Sequence, residues 1–305
     1  MPRFTLRQLA YFKAIAATGS ISAAAAAESV SRSALTSALD ALEQSLRTQL
    51  FVRHKAHGVI LTPTGERILE MANALLQDAE QIEASIDQSH LTGSVAVGCF
   101  SSLGPTIVPT LFDALAADHP GVTVRAYTES ADRLMQLLLS GEIEIAIGYN
   151  THLDRALQTV PLFETRMHGI VSADHPAAAQ PVIAAIDLVE EPLILLDVPP
   201  SPEYVSNYFR ELDLSPVIRH RFPSFEVVRS LVARGYGYSL FIQQPASGVS
   251  YEGVPVVAKP LLPAPRRERV GVAWPAGRRL STNAKAAVDA LRAHVDRIQP
   301  PDLYS

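Results

Sequence analysis

The sequence predicts an α/β protein made of an N-terminal winged helix-turn-helix, a long linker helix and a two-lobed α/β body. Three observations carry this reading: apolar stripes of helical spacing separated by capping residues before position 50, a heptad-like seam between 63 and 90, and strands alternating with helices from Gly93 onward. The 305 residues correspond to two or three domains at roughly 100 to 200 residues each. A hydrophobic share of 48% excludes a disordered chain, and the single Cys excludes an intrachain disulfide. No run reaches the length of a membrane span. The opening MPRFTLRQLAYFKAIAATGS carries Gln8, Tyr11 and Lys13 inside its apolar stretch, unlike a signal peptide. The chain is therefore read as cytoplasmic, with no membrane partner.

The head is justified helix by helix. Leu6, Leu9, Phe12 and Ile15 recur at spacings of three, one stripe of a helix over 5–17, which Thr18-Gly19-Ser20 ends. Ser20 is an N-cap for a short alanine-rich helix over 21–27. Ser31 caps a third, in which Leu35, Leu39, Leu42 and Leu46 form the buried stripe. Ser31, Arg32, Ser33, Thr36, Ser37 and Asp40 then face outward near its N-terminal end, where a helix entering a major groove presents base-reading side chains. Three packed helices with merely solvated hydroxyls would give the same pattern. What tips the reading is the run 49–62, two short extended pieces around a Gly-containing turn. This predicts a β-hairpin wing with Arg53, Lys55 and His57 on its exposed edge, placed to hold phosphates. Charge agrees: residues 1–65 hold 7 Lys+Arg against 3 acids, net +4, and the remaining 19 Lys+Arg and 28 acids give −9.

Residues 6–66 resemble the winged helix-turn-helix of LysR-type transcriptional regulators. The marks are LRQLAYFKAIAATGSIS, the Ala24-Ala25 pair, VSRSALTSALDALEQSL, QLFVRH and LTPTGE, in the order and spacing of that family. The resemblance implies that Arg32, Ser33, Thr36 and Ser37 face double-stranded operator DNA and that Arg53 is the wing arginine. Ser33 stands where the family usually has Pro, Ser37 where a basic residue is frequent, and Arg47 where Gly is expected.

After Thr62 as cap and Pro63 at the first helical position, Ile68, Ala72, Leu75, Ala79, Ile82 and Ile86 recur at spacings of 4, 3, 4, 3 and 4. Such a seam needs a partner, either the chain's own domains or a second copy. A homodimer would let two heads read two half-sites. The resemblance implies pairing through this helix, commonly up to a homotetramer. The parts are therefore 1–62 for the head, 63–90 for linker and hinge, and 91–305 for the body.

In the body, strands are expected at 94–99, 122–129 and 143–148, with helices at 105–117 and 131–140. A second half is read from strands at 165–173, 192–197, 217–222 and 238–242, with helices at 203–212 and 225–234. A final strand at 269–274 and a helix at 282–298 return to the first half. The sheets are expected to be mainly parallel. The chain would cross between lobes near 162 and 266, giving lobe I as 91–162 with 266–305 and lobe II as 163–265. This plan resembles the periplasmic-binding-protein-like (type II) fold of LysR-type effector domains. Ligands of such sheets sit at the carboxyl ends of strands. Ser101 and Ser102 there are candidates to hydrogen-bond a carboxylate effector, or simply to cap the following helix. Thr128, Tyr204 and Phe225 are candidate walls, and Arg133, Arg219 and Arg221 lie nearby in the chain.

Hydrolase, zincin, P-loop, C-x-x-C and EF-hand signatures are missing, and the nine His residues show no ligand spacing, so neither enzyme activity, metal nor cofactor is expected. Cys99 is a candidate nucleophile or simply a buried apolar residue. The reading is thus a DNA-binding regulator that answers to a small-molecule effector and makes contact with RNA polymerase. Its rivals are a small-molecule binding protein with a vestigial head and, less favoured, a cleft enzyme.

Overall fold

Local capping sets out the head. The computed structural model describes residues 3–54, 58–84, 91–149 and 157–304. The Thr5 side chain accepts from the Gln8 amide while Gln8 Oε1 accepts from the Thr5 amide at 2.8 Å, a capping box that opens α1 (Leu6–Thr18). Gly19 closes α1 at φ +61°, a left-handed position natural to glycine. Ser20 and Ser31 cap α2 (Ile21–Ala27) and α3 (Arg32–Leu46) through the Ala23 and Ala34 amides. Leu9, Phe12, Ile15, Leu35, Leu39 and Leu42 form the head's own core, separate from that of the body. Leu6 of the expected stripe is exposed; Tyr11, one turn before Ile15, is buried in its stead, with Arg7 Nε donating to its hydroxyl at 2.9 Å. The first helical turn overhangs the core, so the stripe is one residue wider at its centre and one shorter at its start.

The wing is an antiparallel pair, β1 (Phe51–His54) and β2 (Gly58–Leu61), with Phe51 opposite Leu61. The linker α4 (Pro63–Ala84) starts from Thr62, whose Oγ1 accepts from the Gly65 amide at 2.9 Å.

The body holds two lobes. The sheet of the first contains β3 (Thr92–Phe100), β4 (Gly121–Glu129), β5 (Ile145–Tyr149), β6 (Leu157–Arg166) and β14 (Arg267–Pro275), in the order β4-β3-β5-β14-β6. Helices α5 (Gly104–Asp118), α6 (Ala131–Ser140), α9 (Thr282–Ala293) and α10 (Val295–Ile298) belong to this lobe. From Val95 to Phe100 β3 is buried throughout, as a central strand covered on both faces must be. The second lobe contains β7 (His168–Ser172), β8 (Ile183–Ala184), β9 (Pro192–Leu196), α7 (Ser201–Glu211), β10 (Val217–Phe222), α8 (Phe225–Ala233), β11 (Ser239–Phe241), β12 (Val256–Lys259) and β13 (Leu261–Leu262).

Three expectations are corrected. The sheets are mixed: β14 is antiparallel to both β5 and β6, and β7 is antiparallel to both β11 and β12, while β3 with its neighbours and the β9–β10 pair are parallel. Two segments that carry the chain out of a lobe and back run in opposite directions, and side by side they pair antiparallel. The chain leaves the first sheet at Met167, after β6 has paired with β14 through Arg166, later than the expected crossing near 162. Pro161 sits inside β6 at a register shift, which hid that strand in the sequence. Finally, the last helix breaks at His294 into α9 and α10.

Candidate nucleic-acid interface and effector cleft

On α3, Leu35, Leu39 and Leu42 turn inward, leaving Ser31, Arg32, Ser33, Ser37 and Asp40 exposed on the other side. Thr36 is half-buried, and its Oγ1 donates to the Arg32 carbonyl at 2.8 Å, which leaves the oxygen able to accept. Ser31 accepts from the Ala34 amide at 3.1 Å and lies 3.0 Å from the Ser33 hydroxyl, so capping and the outward face share these side chains. Arg47 ends α3 in the left-handed region at φ +54°, the conformation that a glycine at this position would favour.

The wing is fixed to this helix. Glu43 Oε1 accepts from the Leu50 and Phe51 amides at 2.6 and 3.2 Å, a positioning role that α3's apolar periodicity did not reveal. The Val59 amide donates to the Gly19 carbonyl at 3.0 Å, and a Cβ on Gly58 would stand 2.3 Å from that same oxygen. Arg53 lies on β1 opposite Val59. Lys55 and His57 lie outside the described residues, as does Ile86 of the linker.

The linker seam divides. Ala72 is buried in the head's core with Ile68 packed against it, Ala79 is half-buried, and Leu75 and Ile82 are exposed. The expected single stripe is therefore corrected: its first half meets the chain's own head. The exposed apolar row is Met71, Leu75 and Ile82, at 67, 42 and 68% exposure. Asn73, buried on this helix, donates from Nδ2 to the Ser140 carbonyl at the end of α6, tying linker to body.

Between the lobes lies a cleft of about 360 Å³, mouth included, lined by Phe100, Ser102 and Tyr149 from the first lobe and Tyr204, Phe225, Phe241 and Gln243 from the second. The Ser102 hydroxyl is 3.4 Å from that of Tyr149, whose ring meets Phe100 and Tyr204 edge-on at 5.5 and 6.3 Å between centroids. Burial pushes the Tyr149 phenol up, so it stays protonated and able to donate. Phe225 stacks on Phe241 at 4.2 Å. Hydrogen bonds join the two lobes at the cleft: Tyr204 donates to Glu268 Oε2 at 3.2 Å, Gln243 Nε2 to Thr106 Oγ1 at 3.4 Å, and Thr165 Oγ1 to the Ile242 carbonyl at 3.0 Å. Gln243 Oε1 is buried with no hydrogen-bond partner among the described residues. Of the expected residues, Ser102, Tyr204 and Phe225 line this cleft. Ser101, half-buried, donates its amide to Glu129, and exposed Thr128 packs its methyl over Gly104; neither is in the lining. The cap of α5 is Leu103 without a side-chain bond, so neither serine caps that helix. Arg133 bonds Gln136, Arg221 bonds Asp197 and Arg219 is exposed; none lines the cleft.

Comparison with known proteins decides what this arrangement is. Residues 6–66 match the family described as "Bacterial regulatory helix-turn-helix protein, lysR family", and residues 88–296 match "LysR substrate binding domain". The chain belongs to the LysR family. Among relatives, a probable hydrogen peroxide-inducible genes activator of Mycobacterium avium is 30% identical over 195 residues, 63% of this chain and 62% of that one. HinK, a LysR family transcriptional regulator of Pseudomonas aeruginosa, is 34% identical over 96% of this chain and 99% of its own, with a TM-score of 0.64. A full-length OxyR variant of the same organism is 25% identical over 99% of this chain and all of its own, with a TM-score of 0.73.

This LysR regulator thus carries a DNA-binding head and an effector-binding body on one chain. Its single Cys, Cys99, is fully buried on β3, and burial pushes the thiol pKa up, away from the reactive thiolate. Tyr149 and Gln243 escaped the sequence reading. Tyr149 closes β5 and Gln243 follows β11 by two residues, with the expected strand at 143–148 stopping one residue short of Tyr149. Their place at the carboxyl ends of buried strands was the available signal. Among the described residues no single helix is long and apolar enough to cross a membrane.

Proposed function

We propose that this LysR regulator reads double-stranded operator DNA through the α3 face and wing of paired heads, and answers to an aromatic effector in the inter-lobe cleft. The observation that carries the first part is the exposed row Ser31, Arg32, Ser33 and Ser37, with Thr36 at its edge, on a helix whose leucine stripe is buried on the opposite side. Arg53 and Lys55 supply phosphate contacts that hold the register while α3 supplies the base contacts. Pairing runs along Met71, Leu75 and Ile82, an exposed apolar row on a helix whose other face is already covered. It gives a homodimer, or a homotetramer of two such pairs. The regulator works in the cytoplasm and catalyses no reaction.

The described lining of aromatic rings, two serines and a buried glutamine supports a flat aromatic effector with a donor group for Gln243 Oε1. It favours such a ligand over the simple carboxylate expected from the serines, since the described lining supplies no cation. An effector that prefers one lobe arrangement shifts the population of oligomer shapes, and so half-site spacing and contact with RNA polymerase. The test is binding to the DNA upstream of its own gene across a salt series. Affinity falling steeply with salt supports the reading, and affinity flat with salt overturns it. Thermal stabilisation by aromatic metabolites of neighbouring genes, lost in Gln243→Leu, tests the cleft.

A further inference from the structure

A second cavity, of about 520 Å³ with its mouth, opens at the hinge, where the tail 299–304 crosses the passage between lobes. Chain neighbours part here: Met167 and Gln243 line the effector cleft, while Arg166, His168 and Gln244 line this cavity. Its tail wall is fixed. The Tyr304 hydroxyl donates to the Met167 carbonyl at 2.5 Å and accepts from the Leu261 amide at 2.9 Å, and the Arg166 guanidinium lies 5.2 Å over the Tyr304 ring.

Among the described residues, two polar atoms in this lining are buried without a hydrogen-bond partner, Arg166 Nε and Gln244 Oε1. A buried donor on a cation and a buried acceptor, left unmet, are costly. The carboxylates nearby are engaged: Glu164 accepts from Arg267 at 3.0 Å and Arg269 at 3.1 Å, and Asp302 accepts from the Tyr304 amide at 2.9 Å. Arg166 has no carboxylate partner among the described residues. An occupant that completes the site must accept from a guanidinium and donate to an amide oxygen. We infer that this cavity is a second ligand site, for a small oxyanion that also carries an O–H, as dihydrogen phosphate and a 2-hydroxy acid do. The site does not depend on what the inter-lobe cleft binds.

The test measures binding to the full chain by calorimetry, at fixed ionic strength, with inorganic phosphate, glycolate and acetate as probes. Saturable binding of phosphate or glycolate is expected, and which of the two binds tells the sources apart. Acetate, lacking the hydroxyl, binds more weakly. Arg166→Gln weakens binding by about tenfold or more, the size of a lost charge-assisted bond. Gln244→Leu, which leaves the cation and the fold in place, brings the better probe down to acetate's level, and Ser102→Ala in the cleft changes nothing at this site. No saturable binding of phosphate or glycolate to the wild type overturns the proposal, and so does binding that survives Gln244→Leu unchanged.

Discussion

At the scale of the residue, burial and charge have to be weighed together. His168 is 2% exposed at the start of β7, and burial drags its pKa down from 6.5 to about 4. A histidine depressed in the folded state binds fewer protons there than in the unfolded chain between those values. Its contribution is therefore full above pH 6.5 and is lost as pH falls toward 4, to a ceiling of roughly 3 kcal/mol. The melting temperature of the wild type is expected to fall between pH 7 and pH 5 more than that of His168→Gln. Equal slopes would show that His168 protonates without cost. Arg32 is the opposite case, exposed beside the α3 N-cap, so that removing it costs the fold little. Arg32→Ala is expected to leave the melting temperature unchanged, weaken operator binding, and reduce the slope of log affinity against log salt by about one if the contact is to phosphate. An unchanged slope with altered sequence preference, read by fluorescence anisotropy on operator variants, would instead mark a base contact.

At the scale of the element, what was legible was what is local. The capping serines, the left-handed stops and the leucine stripe of α3 each act within a few residues, so the three head helices follow from the sequence. Arg47 could be read as a substitute for glycine, and it does occupy the left-handed cap. The linker was legible as a helix but not in its facing, because a 4-3-4 stripe does not say whether its partner is the same chain or another. Ala72 went to the head and Leu75 to the surface. In the cleft, Ser102, Tyr204 and Phe225 follow from strand and helix ends. Ser101 and Thr128 are directed elsewhere by the β3–β4 pairing, which joins residues far apart in sequence. The head core also makes a prediction of its own. Phe12 is fully buried, with its ring edge-on to Phe51 at 5.3 Å, in a cluster distinct from that of the body. Phe12→Ala is expected to cost about 3 to 5 kcal/mol and to lower a head transition in calorimetry while the body transition stays put. A single shifted transition would show that the two cores melt as one.

At the scale of the whole molecule, α4 is the element that joins the parts: the head through Ala72, lobe I through Asn73, and solvent through Met71 and Leu75. Within one chain this helix is what links head to body, since the head and body cores are otherwise separate clusters. Its two faces can be tested against each other. Leu75→Asp places a charge on the exposed row, and is expected to shift the protein to monomer in analytical ultracentrifugation while the head's melting temperature holds. Operator binding then falls steeply, because two half-sites must be found independently. Ala72→Asp places the same charge in the head core at 2% exposure, where an unpaired carboxylate costs several kcal/mol. It is expected to melt the head before it alters the assembly. If Leu75→Asp left the mass unchanged and Ala72→Asp dissociated it, the pairing face would be the one assigned to the head, and the two heads would have to be docked to each other through the side of α4 that now covers the head core.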